Sequence, residues 1–365
     1  MRSKATFLVA LFLMCSLAVF GQDGQGRGQG GGQGRGQGAG GGQGGGQGRG
    51  QGGGRGAGGA AAAPAPDPVP AMDKVTPEIP GVVKAGTKVE IIKYGIRGSD
   101  AGVGMPDGSV LIAGNGGVLK VAADGTLTTL VENSEQAAGL AMDSKGNIYG
   151  AQYSKKVSLL YPKENAKTLT DSYDGKPYIR PNDLVVDKKG GIYFTDCYQV
   201  GAKKSPDDLP QGVYYIAPGT GKVTRVIDNI NRPNGITLSP NEKTLFVNDW
   251  DGSYLVSYDV KSDGTLKNKK NFGMFDLKQE TDHGMVSGAD GLCIDNKGNL
   301  FSTTPAGVQV FNSKGVHLGN LDAPYDMPPQ NCGFGGAGKT YLYVVGRGVV
   351  YRIQTLNPWP KNRAK

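Results

Sequence analysis

One strand–turn–strand unit recurs six times along this 365-residue chain, and it constrains the fold more than any other feature. Each copy has a short apolar strand, a tight turn rich in Asp, Lys and Gly, and a second strand rich in aromatic or β-branched residues. The copies read AGVGMPDGSVLIAG from Ala101, AGLAMDSKGNIYGAQ from Ala138, NDLVVDKKGGIYFTD from Asn182, NGITLSPNEKTLFVND from Asn234, DGLCIDNKGNLFSTT from Asp290 and CGFGGAGKTYLYVVG from Cys332. A second kind of hairpin lies between them, at 117–130, 157–169, 212–226, 254–266 and 307–321, and the chain ends on a single strand, GVVYRI, from Gly348. Each period of about 38 to 56 residues thus supplies four strands, which predicts an all-β, six-bladed propeller with four-stranded blades. The last blade lacks one strand, while the repeat region is preceded by an orphan strand, KVEIIKYG at 88–95. Pairing the two is expected to close the ring and remove an exposed edge. An all-β sandwich of similar size leaves the six copies unexplained.

Residues 1–22 combine a basic start (Arg2, Lys4), an apolar run from Phe7 to Phe20 and a small residue, Gly21, and read as a secretory signal peptide. The run is too short for a membrane span, and the residues before Cys15 do not fit a lipid-modification site. Residues 23–80 read as a disordered linker, Gly/Gln/Arg-rich and then Ala/Pro-rich, with the propeller over 81–365. The expected location is therefore secreted or periplasmic. The formal charge of +8 is concentrated before the repeats. Six of the 40 basic residues and one of the 32 acidic ones lie in the first 60 positions, so the remainder is nearly balanced at 34 against 31. No nucleic-acid partner is expected, although the arginines of the tether are suited to touching an acidic cell surface. The three cysteines beyond the signal, Cys197, Cys293 and Cys332, match no zinc spacing and are expected to be buried thiols. Two histidines, His283 and His317, leave a Ser-His-Asp hydrolase without support.

In a propeller the first strand of each blade runs along the central axis, so the residue opening it faces one mouth of the channel. Counting eight back from the turn glycine selects Asp100, Ala138, Asn182 and Asp290, and the same register selects Asn234 and, by a looser alignment, Asn331. Five of the six are Asp or Asn in otherwise apolar strands. Such a ring offers oxygen-only ligation, which suits one divalent cation, Ca²⁺ above all, with Zn²⁺ or Mg²⁺ as alternatives. The second strand returns to the same mouth, which places Gln152, Asp196, Asp249 and Thr304 nearby. Asp196 and Asp249 are candidates for a general base or for supporting the metal ligands.

The strings RPNDLVVDKKGGIYFTD, RPNGITLSPNEKTLFVND, GADGLCIDNKGNLF and QNCGFGG resemble the gluconolactonase and regucalcin (senescence marker protein) family over residues 88 to 355. The resemblance implies hydrolysis of sugar lactones at a single divalent metal. Carried across by motif, it puts metal ligands at Asn234 of RPNG and Asp290 of GADG, a metal or substrate contact at Asn182, and a substrate-binding arginine at Arg180. The family's glutamate at the opening of the first blade is replaced by Asp100, a carboxylate one methylene shorter. The expected activity is metal-dependent opening of an aldonolactone. Arg180 and Asn182 would orient the sugar, with Asp290, or Asp249 in a variant reading, taking the proton from water. Two other activities share this architecture: non-catalytic binding of a sugar acid or polymer, and hydrolysis of aryl esters or phosphotriesters.

Overall fold

The structure, a computed structural model, describes residues 73–361 except Pro106, His283 and Asp326. The signal peptide (1–22) and most of the linker (23–72) lie outside the described residues. Six four-stranded antiparallel sheets follow one another along the chain. The first five blades run from Asp100 to Val131, Ala137 to Thr170, Pro181 to Ile227, Pro233 to Met274 and Leu292 to Leu321. The sixth combines three strands between Asn331 and Gln354 with Val89–Lys93 from the opposite end of the repeat region. That pairing sets Val89 opposite Ile353 and Ile91 opposite Tyr351, and the Glu90 carboxylate meets Arg352 Nε at 2.8 Å. The expected closure is therefore present. No α-helix interrupts the described residues, and none is long and apolar enough to cross a membrane.

The six innermost strands are buried on both faces, whereas the outermost ones present alternating exposed positions, as in Leu127–Val131 and Leu266–Met274. The apolar core is divided into six clusters, each filled by side chains of two consecutive blades. Leu184, Val186 and Phe194 of the third blade pack on Ala141 and Val157 of the second, and Tyr343 and Val345 of the sixth pack on Val110 and Ile112 of the first. A single sheet has no partner for its apolar faces, so each blade depends on both neighbours for its burial. Packed structure begins a few residues ahead of position 81. Ile79, Val82 and Val83 join the cluster between the fifth and sixth blades, and the Thr76 amide donates to Thr87 O.

Near the axis the strands meet backbone to backbone. The Gly235 amide donates to Asp290 O at 2.8 Å and the Gly291 amide to Gln330 O at 2.7 Å, so hydrogen bonds run from the fourth blade to the fifth and from the fifth to the sixth. A Cβ on Gly235 would sit 2.3 Å from Asp290 O, and one on Gly333 would sit 1.8 Å from Gly102 O. These positions admit only glycine because the neighbouring blade occupies the space a side chain needs. Gly235→Ala is expected to lower the stability by about 1–3 kcal/mol, read as an earlier midpoint in urea. An unchanged midpoint would mean the inner strands are not held this close.

Candidate active site

The inner strands begin irregularly, and that irregularity shapes the mouth. In each of the first four blades the ladder to the second strand slips: between Asp100 and Val103, Ala137 and Leu140, Pro181 and Leu184, and Pro233 and Ile236. A bulge of this kind bends the strand and re-aims consecutive side chains. At the first blade it sets Ala101 at φ 61°, an unusual conformation for a residue with a Cβ. In the third blade, Asn182 opens toward the mouth. Its neighbour Asp183 turns sideways, where its carboxylate accepts the Leu184 amide at 2.9 Å and the Ile236 amide of the fourth blade at 3.2 Å. Asp183 thus ties two blades together beneath the mouth.

Asp100, Asn182 and Asn234 sit at equivalent strand openings and are buried, each only 7–8 % exposed. Asp290, just ahead of Leu292–Ile294, completes the set and keeps more solvent access. The side chains of Asn182, Asn234 and Asp290 have no hydrogen-bond partner among the described residues, while Asp100 Oδ1 accepts from the Ala101 amide at 2.7 Å and from Asn331 Nδ2 at 3.1 Å. Asn331 also accepts the Cys332 amide at 2.9 Å through its Oδ1. Its strand has a regular ladder, and its amide is a clip between the last and first blades rather than an open ligand.

Burial pushes the Asp100 carboxyl up to about 6 against the opposing pull of its hydrogen bonds to Ala101 and Asn331. Burial also holds Asp290 well above the ordinary carboxylate range, and the negative charge of Asp100 raises it further. Two carboxylates, of the first and fifth blades, thus share a poorly solvated space, and each makes the other harder to ionise. Among the described residues no three His, Cys, Asp or Glu side chains gather as a metal cluster. The set here has two carboxylates and two amides, all oxygen donors, and the three side chains without protein partners are those a hard cation would satisfy. The donor set therefore fits one divalent ion of the Ca²⁺ or Mg²⁺ type better than a softer one.

The residues ending the second strands are engaged elsewhere. Asp196 accepts the amides of Ile179 and Arg180 at 2.9 and 2.6 Å, and Asp249 accepts those of Asn231 and Arg232 at 3.3 and 3.0 Å. Gln152 donates to Ser134 O at 2.8 Å and accepts from Ser158 Oγ, and Thr304 closes its own turn onto Gly307 O. Each carboxylate at this position clamps the backbone of an Arg-Pro-Asn segment. The Arg180 guanidinium in turn lies 3.2 Å from the centre of the Tyr153 ring. Tyr153 occupies the sector where Ala138 supplies no polar group, and it feels the charges of Arg180, Asp100 and Asp290. Cys197, whose thiol burial pushes up to about 12, stands close by. Sequence reasoning did not single out Tyr153, and its position directly after a second strand is the only signal that would have found it. Cys293 and Cys332, buried thiols of the fifth and sixth blades, face each other at 2.9 Å.

Residues 114–347 match the family model described as the SMP-30/Gluconolactonase/LRE-like region. A gluconolactonase of Zymomonas mobilis is 26% identical over 306 residues, covering 77% of this chain and 85% of that protein. A lactonase (drp35) of Staphylococcus saprophyticus is 36% identical over 145 residues, 39% of this chain and 42% of its own length. Among solved structures, a gluconolactonase of Xanthomonas campestris superposes with a TM-score of 0.66 at 25% identity, over 80% of this chain and 98% of that one.

Burial pushes Asp196 up to about 6, against its two amide bonds. A carboxyl raised above its unfolded value of about 3.9 contributes stability that is full below that pH and lost as pH rises through the folded value. The stability of the native protein relative to Asp196→Asn is therefore expected to decline between pH 4 and 6.5, by up to about 3 kcal/mol. Urea titrations across that range check this, and a difference that stays constant or grows would overturn it.

Proposed function

The chain belongs to the SMP-30/gluconolactonase/LRE-like family, and we propose that it is a metal-dependent hydrolase that opens sugar lactones. The observation that supports this reading is that Asp100, Asn182 and Asn234 are buried at equivalent inner-strand openings and that the side chains of Asn182, Asn234 and Asp290 have no protein partner among the described residues. The gluconolactonase and lactonase relatives support it. These four side chains would hold one divalent ion, Ca²⁺ by preference, which would supply Lewis-acid polarisation of the ring carbonyl.

The remaining work falls to the chain's own groups. Arg180, fixed at its backbone by Asp196 and at its guanidinium by Tyr153, presents donors in a set orientation to the hydroxyls of the sugar. Asn182 orients the ring from the adjacent position. Water adds to the carbonyl carbon and Asp290 accepts its proton. The ring C–O bond then breaks, the proton passes to the departing ring oxygen, and the product is a hydroxy acid that ionises at neutral pH. Environments that favour the protonated form make Asp290 the stronger base of the group. Asp249 is the less suited of the two candidate bases, because both of its oxygens receive backbone amides. The buried surroundings of these groups limit competing water and strengthen each charge interaction. The apolar amino-terminal run supports export, which would place the reaction outside the cytoplasm.

Acid release from glucono-1,5-lactone, followed by pH-stat before and after chelation and with Ca²⁺, Mg²⁺ or Zn²⁺ restored, tests the proposal. Asp290→Ala is expected to lose both bound metal and turnover, by about 10³-fold or more in the latter, and Arg180→Met to raise KM. Tight binding of the sugar acid without acid release would favour a non-catalytic receptor. Turnover of aryl esters or phosphotriesters alone would move the activity to that class.

A further inference from the structure

Arg232 repeats the architecture of Arg180 one blade later. Arg180-Pro181-Asn182 and Arg232-Pro233-Asn234 occupy the same ladder register, with Pro181 opposite Asp196 and Pro233 opposite Asp249. Each arginine has its amide held by the aspartate facing that proline. Each guanidinium also lies over an aromatic ring, Tyr153 for Arg180 and Trp250 for Arg232, the latter at 5.0 Å. Both positive charges reach the same buried thiol, Cys197, so the two guanidinium groups flank one sector of the mouth.

The second arginine is left with unused donors. Its side chain is 12% exposed, its Nε stands 3.1 Å from Asp251 Oδ2, and its Nη1 is buried with no hydrogen-bond partner among the described residues. A buried guanidinium donor without an acceptor is costly, and native proteins seldom keep one unless something else fills the place. The planar fork of arginine matches the paired oxygens of a carboxylate or phosphate, and stacking on Trp250 holds that plane fixed before any ligand arrives. The loop leaving the same end of the third blade adds Lys203 and Lys204, both exposed, and Lys155 acts on Asp196 and Asp208 nearby. The same loop also carries Asp207 and Asp208, so the surrounding charge is mixed and the guanidinium itself is the group that would select an oxyanion.

We propose that Arg232 binds an oxyanion substituent of the substrate, so that the preferred lactone carries a carboxylate or phosphate group remote from its ring carbonyl. The inference rests on the lactonase reading for its reaction but not for its binding site. Arg232 selects the substrate in this account and takes no part in the proton transfers.

The test compares kcat/KM for three lactones: neutral glucono-1,5-lactone, a lactone of glucaric acid, and 6-phosphogluconolactone. The native protein is expected to favour at least one charged lactone over the neutral one by about tenfold or more, and which one identifies the oxyanion. In Arg232→Met, which keeps the aliphatic stem on Trp250, that ratio is expected to fall by about ten- to hundredfold. Arg232→Lys retains the charge without the fork and is expected to lose a smaller part of the ratio; it also carries the test if the methionine variant fails to fold. Equal losses on charged and neutral lactones, or no preference in the native protein, would overturn the proposal. Should the native protein open no lactone at all, it is the hydrolase reading that fails. Calorimetric titration of glucarate, 6-phosphogluconate and gluconate then decides on Arg232 alone. Tighter binding of glucarate or 6-phosphogluconate than of gluconate, lost in Arg232→Met, supports the oxyanion site, and equal binding of all three acids removes it.

Discussion

Neighbouring inner strands touch through their main chains at glycines, and the rest of the molecule follows from that approach. Where Gly102 meets Gly333 and Gly235 meets Asp290, no side chain separates one blade from the next. The strand openings that carry the polar side chains are thereby held close to one another. Asp100 and Asp290 are held together in this way even though burial and mutual repulsion both oppose their ionisation.

The molecule manages this crowding with polar groups that serve neighbouring blades. Asp183 joins the third blade to the fourth, Asn248 reaches Asp290 O of the fifth at 2.8 Å, and Asn331 joins the sixth to the first. Each adds a hydrogen bond to a main-chain or carboxylate group near the axis. The open ligands and the structural clips thus come from the same short segments. A one-residue difference in position decides which is which: Asn182 faces the mouth and Asp183 faces the next blade.

That one-residue distinction marks the boundary of what could be read from the amino acids. The blade period was legible because four of the six inner hairpins carry a turn glycine at a fixed place, Gly108, Gly146, Gly190 and Gly298, all at positive φ. Closure of the ring was legible from an odd strand at each end. The repeat register also picked out Asp100, Asn182 and Asn234, each of which lies in the bulged opening of an inner strand. The bulges were not legible, because the slipped residue carries no consistent side-chain type across the four blades. Asn331 entered the ring only by a looser alignment, and its regular strand commits its amide to Asp100. Asp196 and Asp249 looked like catalytic candidates for a similar reason. Their acceptors are filled by amides some seventeen residues earlier, and only the hairpin geometry brings those amides within reach. The stacking of Arg180 on Tyr153 joins two different blades, a relation that no local pattern records.

The clasp in the sixth blade has a mechanical consequence. The chain enters through the outermost strand, Val89–Lys93, and leaves beside it after Gln354, so a pull on the amino-terminal side is first borne by a ladder of antiparallel hydrogen bonds at the rim. Ahead of that ladder, Leu356 and Asn357 grip Val82 O and Gly81 O, adding a second anchorage in series. Two intervening strands separate this seam from Asn331 and the axis. Force arriving along the chain would thus be dissipated at the periphery, and the mouth would keep its shape while the rim strained.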